Sequence, residues 1–415
     1  MKPSDAYFEE ALRYIPWGTQ TNAKRPFPFF AETMPKFIVR GKGCRIWDME
    51  GKEYIDYRLA LGPVTLGYCN EEVDAAVREQ LARGVLFSMA SPVELELAKR
   101  FCRMVPNAAM VRFMKTGEDA NSCNVRIARA FTKREMILTS GYHGYPDTFA
   151  AYDGAAIGVP QTVRESVNAI PWGNCEEAEK LIRRYGERLA CVIAIGYDFN
   201  EETSGTYLRT LRSLTREYGA LLVMDEVLTG FRLAPGGAQE YFGVDADLAS
   251  FAKAMANGFP LSAYAGRREC METLNTFKMT TTYAGETLSI AAAIATLDIM
   301  VREKVHEHIW RMGKRLMEGF NTIARELGIA AHAAGLPPAP YMAFEHADPG
   351  WGARVEYLWH RELYREGIFI NPRWFISWAH KEADIDETLE KATKALRRAL
   401  DAEPRERDSV KPFWW

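Results

Sequence analysis

ALLVMDEVLTGFR, Ala220 to Arg232, opens on five apolar residues and then places two carboxylates, Asp225 and Glu226, where the apolar run stops. A short apolar run bounded by polar residues reads as a strand buried on both faces, and a carboxylate at its end stands at the carboxyl edge of a sheet. MVRFM (Met110 to Met114), ACVIAI (Ala190 to Ile195) and LASFA (Leu248 to Ala252) have the same character, with segments of helix length between them. This alternation predicts an α/β fold with a mostly parallel, helix-covered sheet from about Glu71 to Met300.

Within that span Ala120, Cys123, Ile127, Ala128 and Phe131 make one helical face after the turn at Thr116 and Gly117, so strand, turn and helix follow one another there. After Arg302 come a charged amphipathic stretch to Leu327, a Pro-rich loop at Gly335 to Pro340 and a helical run from Ile385 to Leu400. These predict a large domain over residues 51–303 and a smaller α+β domain made from 1–50 and 304–415.

The whole chain sets bounds. With 415 residues, 47% of them hydrophobic, it can bury a sizeable core, and a net charge of −3 offers no basic field for nucleic acid. MKPSDAYFEEALRY lacks the apolar centre of a signal peptide, and no run of membrane-spanning length follows, so a cytoplasmic protein without a membrane partner is expected. Seven scattered cysteines with no CxxC pair suggest neither a disulfide framework nor a metal site.

Ligands of open α/β sheets collect at the carboxyl ends of strands, and Thr116, Asp225 and Lys253 stand at such ends. A carboxylate leaving a buried strand needs donors or a cation; Asp225 could cap the next helix or pair with an Arg, but a pyridinium nitrogen would also serve. Lys253, in SFAKAMANGFPLSAYAG (Ser250 to Gly266), follows apolar residues, and poor hydration favours a nucleophilic amine there.

VMDEVLTGFR, GGAQEYFGV (Gly236 to Val244) and FAKAMANGFPLSAYAGRRE together resemble the class III aminotransferases, fold-type I pyridoxal 5'-phosphate (PLP) enzymes, in the branch near glutamate-1-semialdehyde 2,1-aminomutase. The resemblance runs from about Gly18 to Leu400. It implies a seven-stranded sheet in the large domain, Lys253 as the Schiff-base lysine, Asp225 as partner of the pyridinium and Val227 against one ring face. Tyr142, in GYHGYPDTF, would stack on the other face with His143 beside it. KTGEDANSCNVRIARA resembles the phosphate loop, where Thr116, Gly117 and Glu118 would offer backbone N–H groups to the phosphate; Glu118 stands where Ser or Thr is common, so its side chain is expected to turn outward. Thr281 and Thr282, in TTTYAGETLS, match the threonine that a neighbouring subunit lends to the same phosphate, which implies a homodimer with composite sites. Asn200 falls where an Asn lies near the cofactor's 3'-oxygen, although Ile195 and Gly196 replace the usual acidic-Pro pair; as a plain reading it is a turn residue.

For the substrate, the segment IPWGTQTNAKRPF puts Lys24 where the aminomutase has a carboxylate-binding Arg, and a lysine lacks the bidentate fork. Arg58 in YIDYRLALGP and Arg373 in INPRWFISWAH are further candidates for an acid group, or structural arginines; Trp374 and Trp378 narrow the pocket or pack the small domain. The expected activity is transfer of an amino group from a small-molecule donor to a keto or aldehyde acceptor. An aminomutase or racemase using the same residues, or a non-catalytic PLP-binding protein, are the alternatives.

Overall fold

The computed structural model describes residues 2–151, 156–198, 200–346, 348–370 and 372–406. The chain divides into two compact units, one of residues 62–64 and 71–306, the other of 1–61, 65–70 and 307–415. The partition departs from a boundary at residue 51. Glu53–Asp56 forms a strand that pairs with Arg45–Asp48 on one side and with Ile368–Phe369 on the other, so this stretch belongs to the smaller unit.

The large unit is built on seven strands: β1 (Met110–Met114), β2 (Met136–Ser140), β3 (Val167–Ala169), β4 (Leu189–Ile195), β5 (Leu221–Glu226), β6 (Leu248–Phe251) and β7 (Ser262–Gly266). They lie in the order β1-β7-β6-β5-β4-β2-β3, with β7 antiparallel to both neighbours and the other pairings parallel. Covered on both faces, β4 and β5 read as unbroken apolar runs rather than alternating ones. Helix α1 (Gly117–Thr132) follows β1, α2 (Glu201–Glu217) follows β4, and α3 (Thr287–Arg302) closes the unit. The core joins Ala120, Ile127 and Ala128 of α1 to Ile137, Ile193, Val223 and Leu248 of the sheet, which fixes the N-terminus of α1 at the carboxyl edge.

In the smaller unit a four-stranded sheet orders Ile38–Lys42, Arg45–Asp48, Glu53–Asp56 and Ile368–Phe369. The Pro-rich loop joins a two-stranded ribbon, Ala331–Ala334 and Tyr341–Phe344, and the last helix spans Glu382–Glu406. Trp374 is a packing residue: it is buried, stacks on Trp359 at 5.6 Å and leans on Tyr57 at 5.1 Å. Trp378 meets the His308 ring edge-on at 4.6 Å.

Candidate active site

The registers of β5 and β6 place Asp225 beside Ser250 and Glu226 beside Phe251. Lys253 therefore leaves the sheet two residues beyond the end of β6, next to the strand that ends in Asp225 and Glu226. Its backbone has φ 44°, a left-handed conformation that costs energy for any side chain with a Cβ and collects at functional sites.

Asp225 is buried, and its lone pairs are mostly spoken for. Oδ2 accepts from Asn121 Nδ2 at 2.8 Å and from His143 Nδ1 at 2.7 Å, while Oδ1 accepts from the Val227 amide at 3.0 Å. Asn121 Nδ2 also donates to the His143 carbonyl at 3.1 Å, so one amide group ties the carboxylate to the segment carrying the imidazole. All of these donors are N–H groups, and no Lys or Arg pairs with Asp225 among the described residues. A carboxylate so held keeps a face of Oδ1 for a further, cationic donor. The neighbouring Glu226 behaves differently. It is fully buried, accepts from the amides of Ala238 and Gln239 at 2.8 Å each and from the Thr229 hydroxyl, and burial pushes its carboxyl up to about 7.

The phosphate end of the site falls at the N-terminus of α1. Thr116 is its N-cap: Oγ1 accepts from the Asp119 amide, and the Thr116 amide donates to Asp119 Oδ2 at 3.1 Å. In this capping box the Thr116 N–H is engaged by Asp119. The amides of Gly117 and Glu118, at the first two helical positions, are the orphan donors of the helix and suit an anion. Gly117 permits close approach, since a Cβ there would sit 2.7 Å from both Val227 methyls. The Glu118 side chain is half-buried, its Cβ packed where a Cβ on Gly144 would fall 2.3 Å away. Thus the donors of α1, Val227, Asp225 and His143 form one cluster.

Tyr142 is 75% exposed. Asn200 caps α2, its side-chain oxygen accepting from the Thr203 amide at 2.8 Å, as a turn residue does. Thr281 and Thr282 are exposed in the loop before α3. Lys24 is exposed and Arg58 buried in the smaller unit, where Arg373 is half-buried.

Asn121 escapes a reading of the sequence, although an Asn inside an apolar helical face carries a signal: a buried amide must find partners. Asn121 is 1% exposed, and its Oδ1 and His143 Nε2 are buried with no hydrogen-bond partner among the described residues. Lys115 and Glu286 also form an unforeseen pair, Nζ to Oε2 at 2.8 Å, joining the turn before α1 to the cap of α3. Among the described residues no group of His, Cys, Asp and Glu could hold a metal ion, and no helix is long and apolar enough to cross a membrane.

An anion cup, a buried acceptor with room for one cationic donor and a lysine on the adjacent strand end suit PLP, whose phosphate, pyridine nitrogen and aldehyde ask for these three groups. The family model of the class-III aminotransferases matches residues 30–331. A glutamate-1-semialdehyde 2,1-aminomutase of Sulfurihydrogenibium azorense is 34% identical, over 95% of this chain and 98% of its own. A 3-aminobutyryl-CoA aminotransferase of Cloacimonas acidaminovorans is 31% identical over 96% of each chain. Among solved structures, the PLP internal aldimine form of the FumI protein of Sphingopyxis sp. MTA144 superposes with a TM-score of 0.89 at 29% identity, covering 99% of this chain and 98% of that one. The chain belongs to the class III aminotransferase family: it is an enzyme of the fold-type I PLP group, and PLP is its cofactor.

Proposed function

We propose that this enzyme is an aminotransferase, moving an amino group from a small-molecule donor to a keto or aldehyde acceptor. The observation that carries the reading is the pair at adjacent strand ends, Lys253 after β6 and the buried, hydrogen-bonded Asp225 near the end of β5. Lys253 Nζ holds the cofactor through its aldehyde carbon. Released from that bond, the Lys253 amine would stand as the base that takes the proton from the donor's Cα. Asp225 would pair with the ring nitrogen and keep it protonated, and PLP when bound would supply the electron sink for this chemistry. Gly117 and Glu118 would hold the phosphate with their amides, Val227 and Tyr142 would face the ring, and His143 orients Asp225. Thr116 and Asn200 act through the helices they cap.

Transfer rather than internal rearrangement is favoured by Lys24, which replaces the forked cation with a point charge. Lys24, Arg58 and Arg373 are the candidate contacts to a substrate acid group. The aminomutase reading draws on the names of the similar proteins. A silent PLP-binding protein would have no need of both Lys253 and Asp225. We further take the enzyme to be a cytoplasmic homodimer in which Thr281 and Thr282 reach the partner's cofactor phosphate. Exposed Phe87, Met89, Leu95 and Tyr283 on the large unit supply apolar surface for that association.

The deciding experiment offers purified enzyme one amine at a time, with and without a keto acid. An aminotransferase stops after one equivalent of carbonyl product per site and resumes when the keto acid is added. Sustained turnover of a single substrate would instead establish an isomerase.

A further inference from the structure

Helix α1 presents two asparagines to the sheet. Asn121 and Asn124 are three residues apart and so share one face of the helix, and both are buried, at 1% and 0% exposure. Asn121 Nδ2 donates to Asp225 near the end of β5, and Asn124 Nδ2 donates to Ser250 Oγ on β6 at 2.8 Å. Asp225 and Ser250 are themselves paired across β5 and β6. One turn of α1 therefore grips two neighbouring strands at the same level, and the strand held by Asn124 is the one that runs out into Lys253.

The contact between Asn124 and Ser250 is a costly way to hold a fold together. Ser250 lies between the buried Ala249 and Phe251, and Asn124 sits on the helix that sends Ala120, Ile127 and Ala128 into the core. Asn124 Oδ1 is buried with no hydrogen-bond partner among the described residues. An unsatisfied buried polar group costs about 1–3 kcal/mol, more than a neutral hydrogen bond returns, whereas apolar side chains of similar shape would pack there at little or no cost.

The backbone just beyond the contact shows what it can do. Strand β6 ends at Phe251, and Lys253 follows with its φ of 44°, a conformation that persists only where the surrounding structure over-determines it. On the far side Ala254, Met255 and Ala256 are buried, and Asn257 is again left-handed, with φ of 46°. On the near side Ser250 is the last polar side chain before Lys253, and its hydrogen bond ties the strand end to the helix whose first amides form the phosphate cup.

We propose that Asn124 and Ser250 are positioning residues for Lys253. Through Asn124 the helix sets the end of β6, as through Asn121 it sets Asp225, so that the lysine amine and the acceptor for the ring nitrogen keep a fixed spacing. The pair acts through the backbone of residues 250–253 and not by contact with reacting atoms. The inference rests on Lys253 as the lysine that carries the cofactor.

The test compares wild-type holoenzyme with the double variant Asn124→Leu/Ser250→Ala, which removes both polar groups together. Its Tm is expected to equal or exceed that of the wild type, while kcat falls roughly ten- to hundredfold with KM little changed. The visible circular dichroism per bound cofactor depends on how firmly the chromophore is held, and most of it is expected to be lost while the far-UV spectrum stays as it was. Asn124→Ala/Ser250→Ala carries the test if the leucine variant does not fold. Wild-type kcat and visible dichroism in the double variant would overturn the proposal, and so would a loss of kcat accompanied by a lower Tm, which would mark the pair as structural. Borohydride labelling of the wild type separates the two ideas. A label on a lysine other than Lys253 sinks that assignment and this proposal with it, whereas a label on Lys253 with unchanged kinetics sinks the positioning role alone.

Discussion

Nδ1 of His143 lies 2.7 Å from Oδ2 of Asp225, with both groups buried. The carboxylate can only accept, so the imidazole must carry its proton on Nδ1. The bond therefore sets the tautomer and leaves Nε2 buried with no partner among the described residues. Asn121 bonds to the same oxygen and to the His143 backbone, which makes the three residues one rigid acceptor.

The first prediction concerns that acceptor. Asp225→Ala is expected to fold and to lose about a thousandfold or more in rate, because nothing then stabilises charge on the ring. Asn121→Leu removes one hydrogen bond to a charged group, about 1.5–3 kcal/mol, and should slow the enzyme roughly ten- to hundredfold. In the Asp225→Ala background the same change should add almost nothing, since Asn121 acts only through the carboxylate. Additive losses in steady-state kinetics would show that Asn121 serves the fold and not the site.

Lys253 is the next test. Borohydride treatment of the yellow holoenzyme is expected to fix the cofactor to a single peptide containing Lys253, and Lys253→Ala should lose this label while keeping the wild-type far-UV circular dichroism. A label on any other lysine would remove Lys253 from the role.

Part of this site is legible along the chain and part is not, for physical reasons. Asp225 and Lys253 stand directly after apolar runs, and burial of a strand makes its first polar successor conspicuous. The contacts of Asp225 are hidden because Asn121 is 104 residues away and His143 is 82 away, and only the parallel order of β1 to β6 brings them together. At two candidate positions the structure shows a helix cap. The Thr116-Gly-Glu-Asp119 order closes a capping box that consumes the Thr116 amide, and Asn200 caps its own helix. The start of the large unit is misplaced for a different reason: Glu53–Asp56 finds its parallel partner at Ile368–Phe369, a pairing that no local pattern announces.

Glu226 gives the enzyme a pH dependence of stability that can be isolated. Burial raises its carboxyl from the ordinary 4.5 to about 7, so between these values the folded state holds more protons than the unfolded one. Stability contributed by this group is then complete below pH 4.5 and declines as the pH rises through about 7. At about 1.4 kcal/mol per unit, the loss is on the order of 3 kcal/mol. Urea unfolding of wild type and Glu226→Gln between pH 5 and 8 should show the wild type losing stability relative to the variant as pH increases. A difference that stays flat or runs the other way would mean that the amides of Ala238 and Gln239 keep Glu226 ionised throughout.

The last prediction tests the shared site. Thr281 and Thr282 are exposed in this chain, in a loop whose following helix is capped by Glu286, itself tied to Lys115 beside the phosphate cup. If the loop reaches the partner's phosphate, cofactor affinity and dimer stability are linked and each must strengthen the other. A hydroxyl bonded to a dianion contributes about 1.5–3 kcal/mol, so Thr282→Val should release PLP roughly ten- to hundredfold more readily in equilibrium dialysis, with the fold unchanged. Mixing Lys253→Ala chains with Thr282→Val chains then discriminates between sharing and self-sufficiency. In a mixed dimer with exchanged threonines, one site carries both defects and the other carries neither, so activity partly returns on mixing. With threonines acting on their own chain's cofactor, every site keeps one defect and no activity returns, however complete the subunit exchange; a protein that sediments as a monomer at assay concentration rejects the shared site outright.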